Sequence, residues 1–529
     1  MPRLSHRAAW VAALVALWVY AQTLSPTVAW VNQGEDSGDL LAASATLGIA
    51  HPTGYPLFVL LGRLASLLPL GSIAFRINLV AALAGAAAVY FLARFVLELA
   101  SAGRDAGADR ASTRDSGLPP LLAAGAALLY ALSRGAWSQS VLAEVYTLNV
   151  AFLGAVLWAL ARFERRHDVR WLALASFLWG VGLTNHLLLL AAAPALAWSA
   201  ARALATRRIG AAGGVLLLLL ALWGATLVFY LPIRAGVGLG PGAPGTGPEF
   251  SWGVPSTPSR LLWVLTGAQY ERNFFARDLA GVAGHLFSGR WWSEFGWGLL
   301  ALAGGAAAAA IGRFRGLGPA VAALSAALVL FSLYSIPDDV GYWMPVAWLV
   351  AAIAGVGAAR LAAKSDPLAR AAAAVLLLLA LGGAAESYLA NRAAVDASKD
   401  LTPYLYARRN LSSVEPDALI VSEYDGRTFS LWFYKATEFR RSHPRLVVAY
   451  KYLLVWPWYL HHLSRTYPGL RVPSHRGDLD DTMNRLIARN LDKRPVYLTR
   501  LDPGLAREFR TEPVGYPPIP FYRVRWAAP

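Results

Sequence analysis

Three acids stand within five residues of one another in the segment TVAWVNQGEDSGDLLAASATLGIAHPTGYPLF (27–58): Glu35, Asp36 and Asp39. A carboxylate in such a place can serve as a general base if partial burial raises its affinity for protons. If a helix starts after Asp36, then Asp36 and Asp39 are three residues apart and project from one face of its first turn. The plainer alternative is that Asp36 or Ser37 caps this helix, with the acids complementing its dipole. His51-Pro52-Thr53-Gly54-Tyr55-Pro56 follows closely. Its prolines and glycine force a rigid turn, which either braces the loop or presents an imidazole and a phenol to the acids.

Further polar groups interrupt apolar stretches. Arg76 and Asn78 enter one such stretch, and an arginine at that depth needs an anionic partner, either a carboxylate or a lipid phosphate. Glu144 and Tyr146 follow Trp137 within another, Asn185-His186 marks a turn, Arg234 follows Tyr230, and Asp338-Asp339 lies in IPDDVGYW (336–343). Each alone is more often a helix-helix bridge or a snorkelling side chain. Together they place acids, imidazoles and guanidinium groups at one level, which suits a cavity for a charged, lipid-borne substrate.

Long apolar elements must position these residues. Of 529 residues, 56% are hydrophobic and 15% charged, whereas soluble domains run near a quarter charged. The charge is unevenly placed: the last 139 residues are about 26% charged and the first 390 about 11%. A membrane-embedded part, 1–390, is thus followed by a soluble domain, 391–529. Apolar runs at about 8–24, 73–98, 118–133, 138–160, 171–185, 187–201, 210–231, 295–311, 317–336, 343–361 and 370–390 predict about eleven transmembrane helices. The short segment 57–70 reads as an interfacial helix.

The net charge of +16 does not imply nucleic-acid binding, because the basic groups of the first part gather in short gaps between apolar runs. Arg3 and Arg7, Arg104–Arg114, Arg162–Arg170, Arg202–Arg208, Arg313 and Arg315, and Arg360–Arg370 fall on one side of an eleven-span count. That side is the cytoplasmic one. The N-terminus reads as an uncleaved anchor, with no clear cleavage site. A cleaved signal peptide is the alternative, which would remove one span without changing the side. The loops 25–72 and 232–294 and the C-terminal domain then face outward.

In the C-terminal domain, ALIVSE (418–423), LVVAY (446–450) and PVYLT (495–499) predict short buried strands, and 427–442 and 478–491 predict helices, with Met483, Leu486 and Ile487 on one face. This order suits a small α/β domain with a partly parallel sheet. Absence of cysteine excludes disulfides, thiolate metal sites and cysteine nucleophiles. His461-His462 and the acids Asp478, Asp480 and Asp481 lack metal-ligand spacing and read as surface features. Asn410-Leu411-Ser412 fits a glycosylation acceptor. The glycines of 236–248 do not follow a strand and open a helix, and no phosphate loop, zinc-protease helix or serine elbow is present.

The run GEDSGDL, LGIAHPTGYPLF and GSIAFRINLV (71–80) resembles the N-terminal signature of the transmembrane O-mannosyltransferases that act on plexin-type receptor domains, and of their bacterial relatives. WSQSVLAEVYTLN (137–149), GLTNHLLLL (182–190), YLPIRA (230–235) with LLWVLTGAQY (261–270), and YSIPDDVGYWMP (334–345) extend the resemblance in order. In the last part, YDGRTFSLWFYKATEFRRSHPRLVVA (424–449) with PWYL (457–460) resembles the domain that bacterial members append. The resemblance implies a polytopic α-helical, glycosyltransferase C-like fold. It also implies an enzyme taking a sugar, mannose by analogy, from a polyprenyl-phosphate carrier to a protein, lipid or glycan hydroxyl.

By the same resemblance Asp36 matches the acid of the family's first-loop element, and Asp39 its second acid, which is more often Glu. His51 and Tyr55 match its H-P-x-G-Y-P element, where Thr53 replaces a second proline. Asp36 and Asp39 are then catalytic. His51, Tyr55, Arg76, His186 and Arg234 bind the donor and its phosphate, and Glu35, Glu144, Tyr146 and Asp338 line the acceptor side. Tyr424-Asp425-Gly426-Arg427-Thr428 departs from the G-D-N-D-T-like element of bacterial relatives, so Asp425 receives no role. No metal or other cofactor is expected. The Ala-, Arg- and Gly-rich composition points to a high-GC bacterium, hence to an inner-membrane protein with its outer side in the periplasm. A transporter or lipid flippase is the alternative, though repeat symmetry is not evident, and a glycan-binding scaffold is a third reading that leaves the first-loop acids unexplained.

Overall fold

The computed structural model describes residues 2–101, 117–236, 249–275, 278–286, 288–312, 316–336, 339–475 and 477–527. The chain divides into two compact units. One comprises Met1–Leu24, Leu79–Val228 and Tyr270–Ser398, and the other Ser25–Asn78, Phe229–Gln269 and Lys399–Pro529. A division at residue 390 follows the change in charge density, whereas the second unit also takes in residues 25–78 and 229–269.

The first unit is helical. Among the described residues, six helices are long and apolar enough to cross a membrane: Ile73–Ser101, Tyr146–Arg166, Leu187–Ala205, Ala211–Arg234, Val340–Ala362 and Pro367–Val395, of which the first and fourth run on into the second unit. Pro2–Thr23 spans 22 residues. The shorter apolar helices Leu118–Ala131, Val169–Leu183, Gly298–Ile311 and Gly318–Leu333 occupy four further expected positions. Their interior is aromatic at its widest points, with Trp137, Trp343, Trp348 and Tyr130 fully buried. Because indole N–H groups need acceptors when buried, Trp348 Nε1 donates to the Ala88 carbonyl at 3.0 Å and Trp137 Nε1 to Thr23 Oγ1 at 2.9 Å.

The expected span at 138–160 is corrected. A short helix, Arg134–Ser138, ends at the Ser138-Gln139-Ser140 run, and the long helix begins only at Tyr146. Ser138 and Ser140 hydroxyls donate back to carbonyls three and four residues earlier, competing with helix continuation. Glu144 therefore lies in the connecting turn rather than inside a span.

The second unit is built on a five-stranded sheet of order β2-β1-β3-β5-β4, with β1 Leu419–Ser422, β2 Val447–Tyr450, β3 Val496–Leu498, β4 Phe509–Val514 and β5 Phe521–Trp526. β2, β1 and β3 are parallel, and β3, β5 and β4 antiparallel. The three parallel strands are buried along their length, which is why they read as continuous apolar runs. Helix Asp425–Thr437 buries Phe429, Leu431, Trp432 and Phe433, and helix Leu479–Leu491 buries Met483, Leu486 and Ile487. Asn410 is wholly buried, its amide donating to the Tyr406 and Ile519 carbonyls and its oxygen accepting from Tyr516 N. It is a structural strut, not a glycosylation acceptor.

Within the same unit, helix Ser37–Thr46 packs on helix Asp425–Thr437 so closely that a Cβ at Gly38 would lie 2.7 Å from the Phe429 carbonyl carbon. Only glycine permits that approach. Trp30 Nε1 donates to the Gly426 carbonyl at 2.8 Å and to Ser430 Oγ at 3.0 Å, fixing the same contact from the loop side. The second outer loop joins through Ile49, whose N–H donates to the Phe250 carbonyl and whose carbonyl accepts from Trp252 N.

Candidate active site

Asp36 stands at the N-terminal boundary of helix Ser37–Thr46, yet its side chain makes no capping hydrogen bond. Ser37 does not cap it either, since its hydroxyl donates to the Ala29 carbonyl and accepts from Ala29 N. The helix therefore does not consume the Asp36 carboxylate, which keeps 41% of its side-chain surface accessible. Partial burial still pushes its carboxyl above the usual carboxylate range, with His51 opposing the shift and Asp39 adding to it.

Asp39 is placed oppositely. It is fully buried one turn along, and its Oδ2 accepts both His51 N at 2.8 Å and His51 Nδ1 at 2.9 Å. His51 Nε2 lies 3.0 Å from Tyr55 Oη and 3.6 Å from Asp36 Oδ2. Tyr55 Oη also donates to the Pro52 carbonyl at 3.0 Å. Tyr55 itself has φ +45°, a left-handed conformation that the Pro-Gly turn imposes at some cost in strain. Asp39, His51 and Tyr55 thus form a buried hydrogen-bonded row behind Asp36, and Asp39 orients the imidazole.

The arginines of this unit hold backbone. Arg76 donates from Nε, Nη1 and Nη2 to the carbonyls of Leu70, Ser66 and Gly71 at 2.5, 2.7 and 3.0 Å. Its protein partners are thus a fan of carbonyls at and past the end of helix Pro56–Ser66. Asn78 likewise donates to the Ser25 and Thr27 carbonyls. Arg234 Nε donates to the Leu47 carbonyl at 2.7 Å and Tyr230 Oη to the Gly48 carbonyl at 2.6 Å, so the YLPIR segment grips the end of the Asp36–Asp39 helix.

Three groups that the sequence reading did not assign join the site. Asp425 opens its helix directly after β1 and accepts a hydrogen bond from Tyr450 Oη at the end of β2. Trp252 lies between the two sets, its ring centroid 6.1 Å from that of His51, 6.0 Å from Phe429 and 6.3 Å from Tyr450. Desolvation, then the charge of Asp36, pushes the Asp425 carboxyl up to about 6. The signal for Asp425 was an acid in a Gly-containing turn between a buried strand and a helix. Trp252 and Tyr450 carried no such mark.

The remaining predicted residues belong to the first unit. His186 Nδ1 accepts from Leu188 N at 3.0 Å, and its ring packs on Tyr146 and Tyr342 with centroids 5.4 and 5.8 Å away. Glu144 is buried in the turn before Tyr146. Asp339 pairs with Arg290 at 2.5 Å, whereas Asp338 lies outside the described residues. Among the described residues no cluster of His, Asp and Glu is placed to hold a metal. His462 is not the surface residue expected: its Nε2 lies 2.9 Å from the Glu249 carbonyl.

Residues 36–207 match the family model described as Protein O-mannosyl-transferase TMEM260 N-terminal domain. Over that stretch the chain is similar to that family's N-terminal domain. It is 28% identical over 476 residues to the mouse Protein O-mannosyl-transferase TMEM260, covering 84% of this chain and 63% of the mouse protein. It is 26% identical over 197 residues to the Dictyostelium discoideum protein of the same description, covering 34% of this chain and 22% of that protein. The chain thus spans less than two thirds of the length of either relative. Among solved structures, ArnT from Cupriavidus metallidurans bound to undecaprenyl phosphate superposes with a TM-score of 0.56 at 13% identity over 98% of both chains. Its apo form gives 0.52 over 97% of this chain and 96% of that one. The fold is therefore that of ArnT, and with its long apolar helices this chain is a multi-pass membrane protein.

Proposed function

We propose that this protein is a membrane glycosyltransferase of the C class that moves a sugar from a polyprenyl-phosphate carrier to a hydroxyl acceptor. Mannose is the sugar favoured by the TMEM260 relatives. The observation that carries the reading is the contrast between two neighbouring acids. Asp39 is sealed in and spent on His51, while Asp36 is part-exposed with its carboxylate uncommitted to the helix. ArnT's capture with undecaprenyl phosphate supports a lipid-phosphate donor.

The reaction is a single displacement. The acceptor oxygen bonds to the anomeric carbon as its proton passes to Asp36, and the bond from that carbon to the phosphate oxygen breaks with its electron pair going to the phosphate. Arg234 neutralises the charge developing on the departing phosphate, and His51, held by Asp39, keeps Asp36 in register. Eleven spans, a cytoplasmic N-terminus and an outward-facing second unit complete the reading, with the site on the outer face of a bacterial inner membrane.

The test is hydrolysis and transfer by purified protein in lipid nanodiscs, using radiolabelled polyprenyl-phosphate mannose and polyprenyl-phosphate glucose with Asp36→Asn alongside. Sugar release that depends on Asp36 supports the reading and names the donor. Turnover retained in Asp36→Asn removes Asp36 from its role.

A further inference from the structure

General-base catalysis leaves a debt that the proposed function does not settle: after each turnover Asp36 carries the acceptor's proton and must lose it before the next. His51 Nε2 lies 3.6 Å from Asp36 Oδ2 but also lies against Tyr55 Oη, while its Nδ1 is bound to Asp39. Both His51 and Asp39 are buried, which leaves them no direct route to solvent. A second acid offers a route on the other side of Asp36.

On that side stands the C-terminal edge of the parallel strands, the place where open α/β sheets gather ligand-facing groups. β1 leads into Asp425 and β2 ends at Tyr450, whose hydroxyl donates to Asp425 Oδ1. The Asp425 helix is held against the Asp36 helix by the Gly38–Phe429 contact, and Trp252 closes the gap between Tyr450 and His51. Among the described residues no guanidinium or ammonium pairs with Asp425 to hold it permanently ionised. Asp425 is only partly buried, so it can exchange with water.

We propose that Asp425 is a second acid of the reaction centre, the group to which Asp36 hands the acceptor's proton and from which that proton reaches solvent. The proposal rests on the glycosyltransferase reading. In atoms, the proton leaves the acceptor oxygen for a carboxylate oxygen of Asp36, then moves to a carboxylate oxygen of Asp425, and is released to water; no oxidant, metal or further reactant enters. The groups facing Asp425 are Asp36, Glu35 and His51 from the first outer loop and Tyr450 and Tyr452 after β2. Two acids against one imidazole favour a carboxyl that takes up and releases a proton near pH 6, in accord with its raised affinity. Tyr450 opposes this by stabilising the ionised form.

The experiment is the pH–rate profile of polyprenyl-phosphate mannose hydrolysis, with water as acceptor, in wild type, Asp425→Asn, Asp425→Glu and Tyr450→Phe. Asp425→Asn is expected to lower kcat at least about tenfold with donor KM unchanged, formate to restore part of the loss, and Asp425→Glu to retain most activity. Tyr450→Phe removes a donor to the carboxylate, so the acid limb shifts to higher pH. Wild-type kcat and profile in Asp425→Asn overturn the proposal, as does a loss that neither formate nor Asp425→Glu relieves. Isotope-edited infrared spectra of the same proteins separate the two readings if wild type hydrolyses no donor. A protonated carboxyl at about pH 6 that vanishes in Asp425→Asn and shifts in Asp36→Asn keeps the carboxyl pair, and its persistence in Asp425→Asn ends it.

Discussion

One oxygen of Asp39 receives two hydrogen bonds from His51, 2.8 Å from the backbone N–H and 2.9 Å from ring Nδ1. This double grip fixes both the turn and the tautomer of the imidazole, so that Nε2 points along the row towards Tyr55 and Asp36.

The two first-loop acids consequently differ in what their loss does. Asp36→Asn is expected to reduce turnover at least about a hundredfold, the range of a lost general base, with little change in melting temperature. Asp39→Asn keeps one acceptor oxygen for His51 but removes the charge and buries an amide NH2 where Oδ1 has no hydrogen-bond partner, an effect of about 1–3 kcal/mol on stability. Thermal melts in detergent alongside activity separate the two; an unchanged melt in Asp39→Asn contradicts the assignment.

Stability should also carry the signature of Asp425. Its folded carboxyl binds the proton more tightly than the unfolded chain, up to about 6 against an ordinary 3.8. The favourable contribution is therefore present in full below the unfolded value and is lost as pH rises through the folded one. Asp425→Asn is expected to melt above wild type at pH 7.5, with the gap closing as pH falls towards 4. A gap that widens in acid reverses the sign and refutes the argument.

Arg234 and Arg76 divide differently. Arg234→Ala is expected to reduce turnover about tenfold or more by leaving developing phosphate charge unneutralised, a loss that Arg234→Lys recovers only in part. Arg76→Ala instead orphans three carbonyls and lowers the melting temperature, leaving donor KM in the folded fraction unchanged. Donor titration of both variants decides.

Lys435, buried, is paired with Glu249 and donates to Tyr467 Oη at 2.9 Å. Glu249→Gln leaves that ammonium uncompensated, and a loss of about 3–5 kcal/mol is expected. The double replacement Glu249→Leu with Lys435→Met is expected to be milder than Glu249→Gln alone. Denaturant titration of both forms is the check.

Single displacement also fixes stereochemistry: attack opposite the departing phosphate inverts the anomeric carbon. Proton couplings in the product glycoside are expected to report the anomer opposite to the donor's. Retention would require a covalent glycosyl intermediate and a nucleophile at the site.

Much of this arrangement was legible in the residues. The buried parallel strands are uninterrupted apolar runs, and the acids and imidazole of the first loop lie close in sequence, so type and spacing sufficed. What escaped notice was set by packing. Asp425 meets the first loop only because Gly38 allows a helix from the far end of the chain to approach. Trp252 and Tyr450 are ordinary aromatic residues until the sheet edge collects them. Glu144 was placed in a span because apolar neighbours outweighed the serine hydroxyls that end the preceding helix. The strands β4 and β5 were overlooked because they are largely exposed and rich in charge, with Arg510, Glu512, Arg523 and Arg525 facing out.

The second unit is threaded from three stretches of chain, and this gives the site a birth order. Asp36 leaves the ribosome 389 residues before Asp425, an interval on the order of 20–80 s at ordinary synthesis rates. Throughout that interval the first loop has its acids but neither the Gly38–Phe429 seat nor the Tyr450 hydroxyl. Under the proposed reading, a nascent chain therefore holds a base without a reaction centre until the strands and helix around Asp425 have been made.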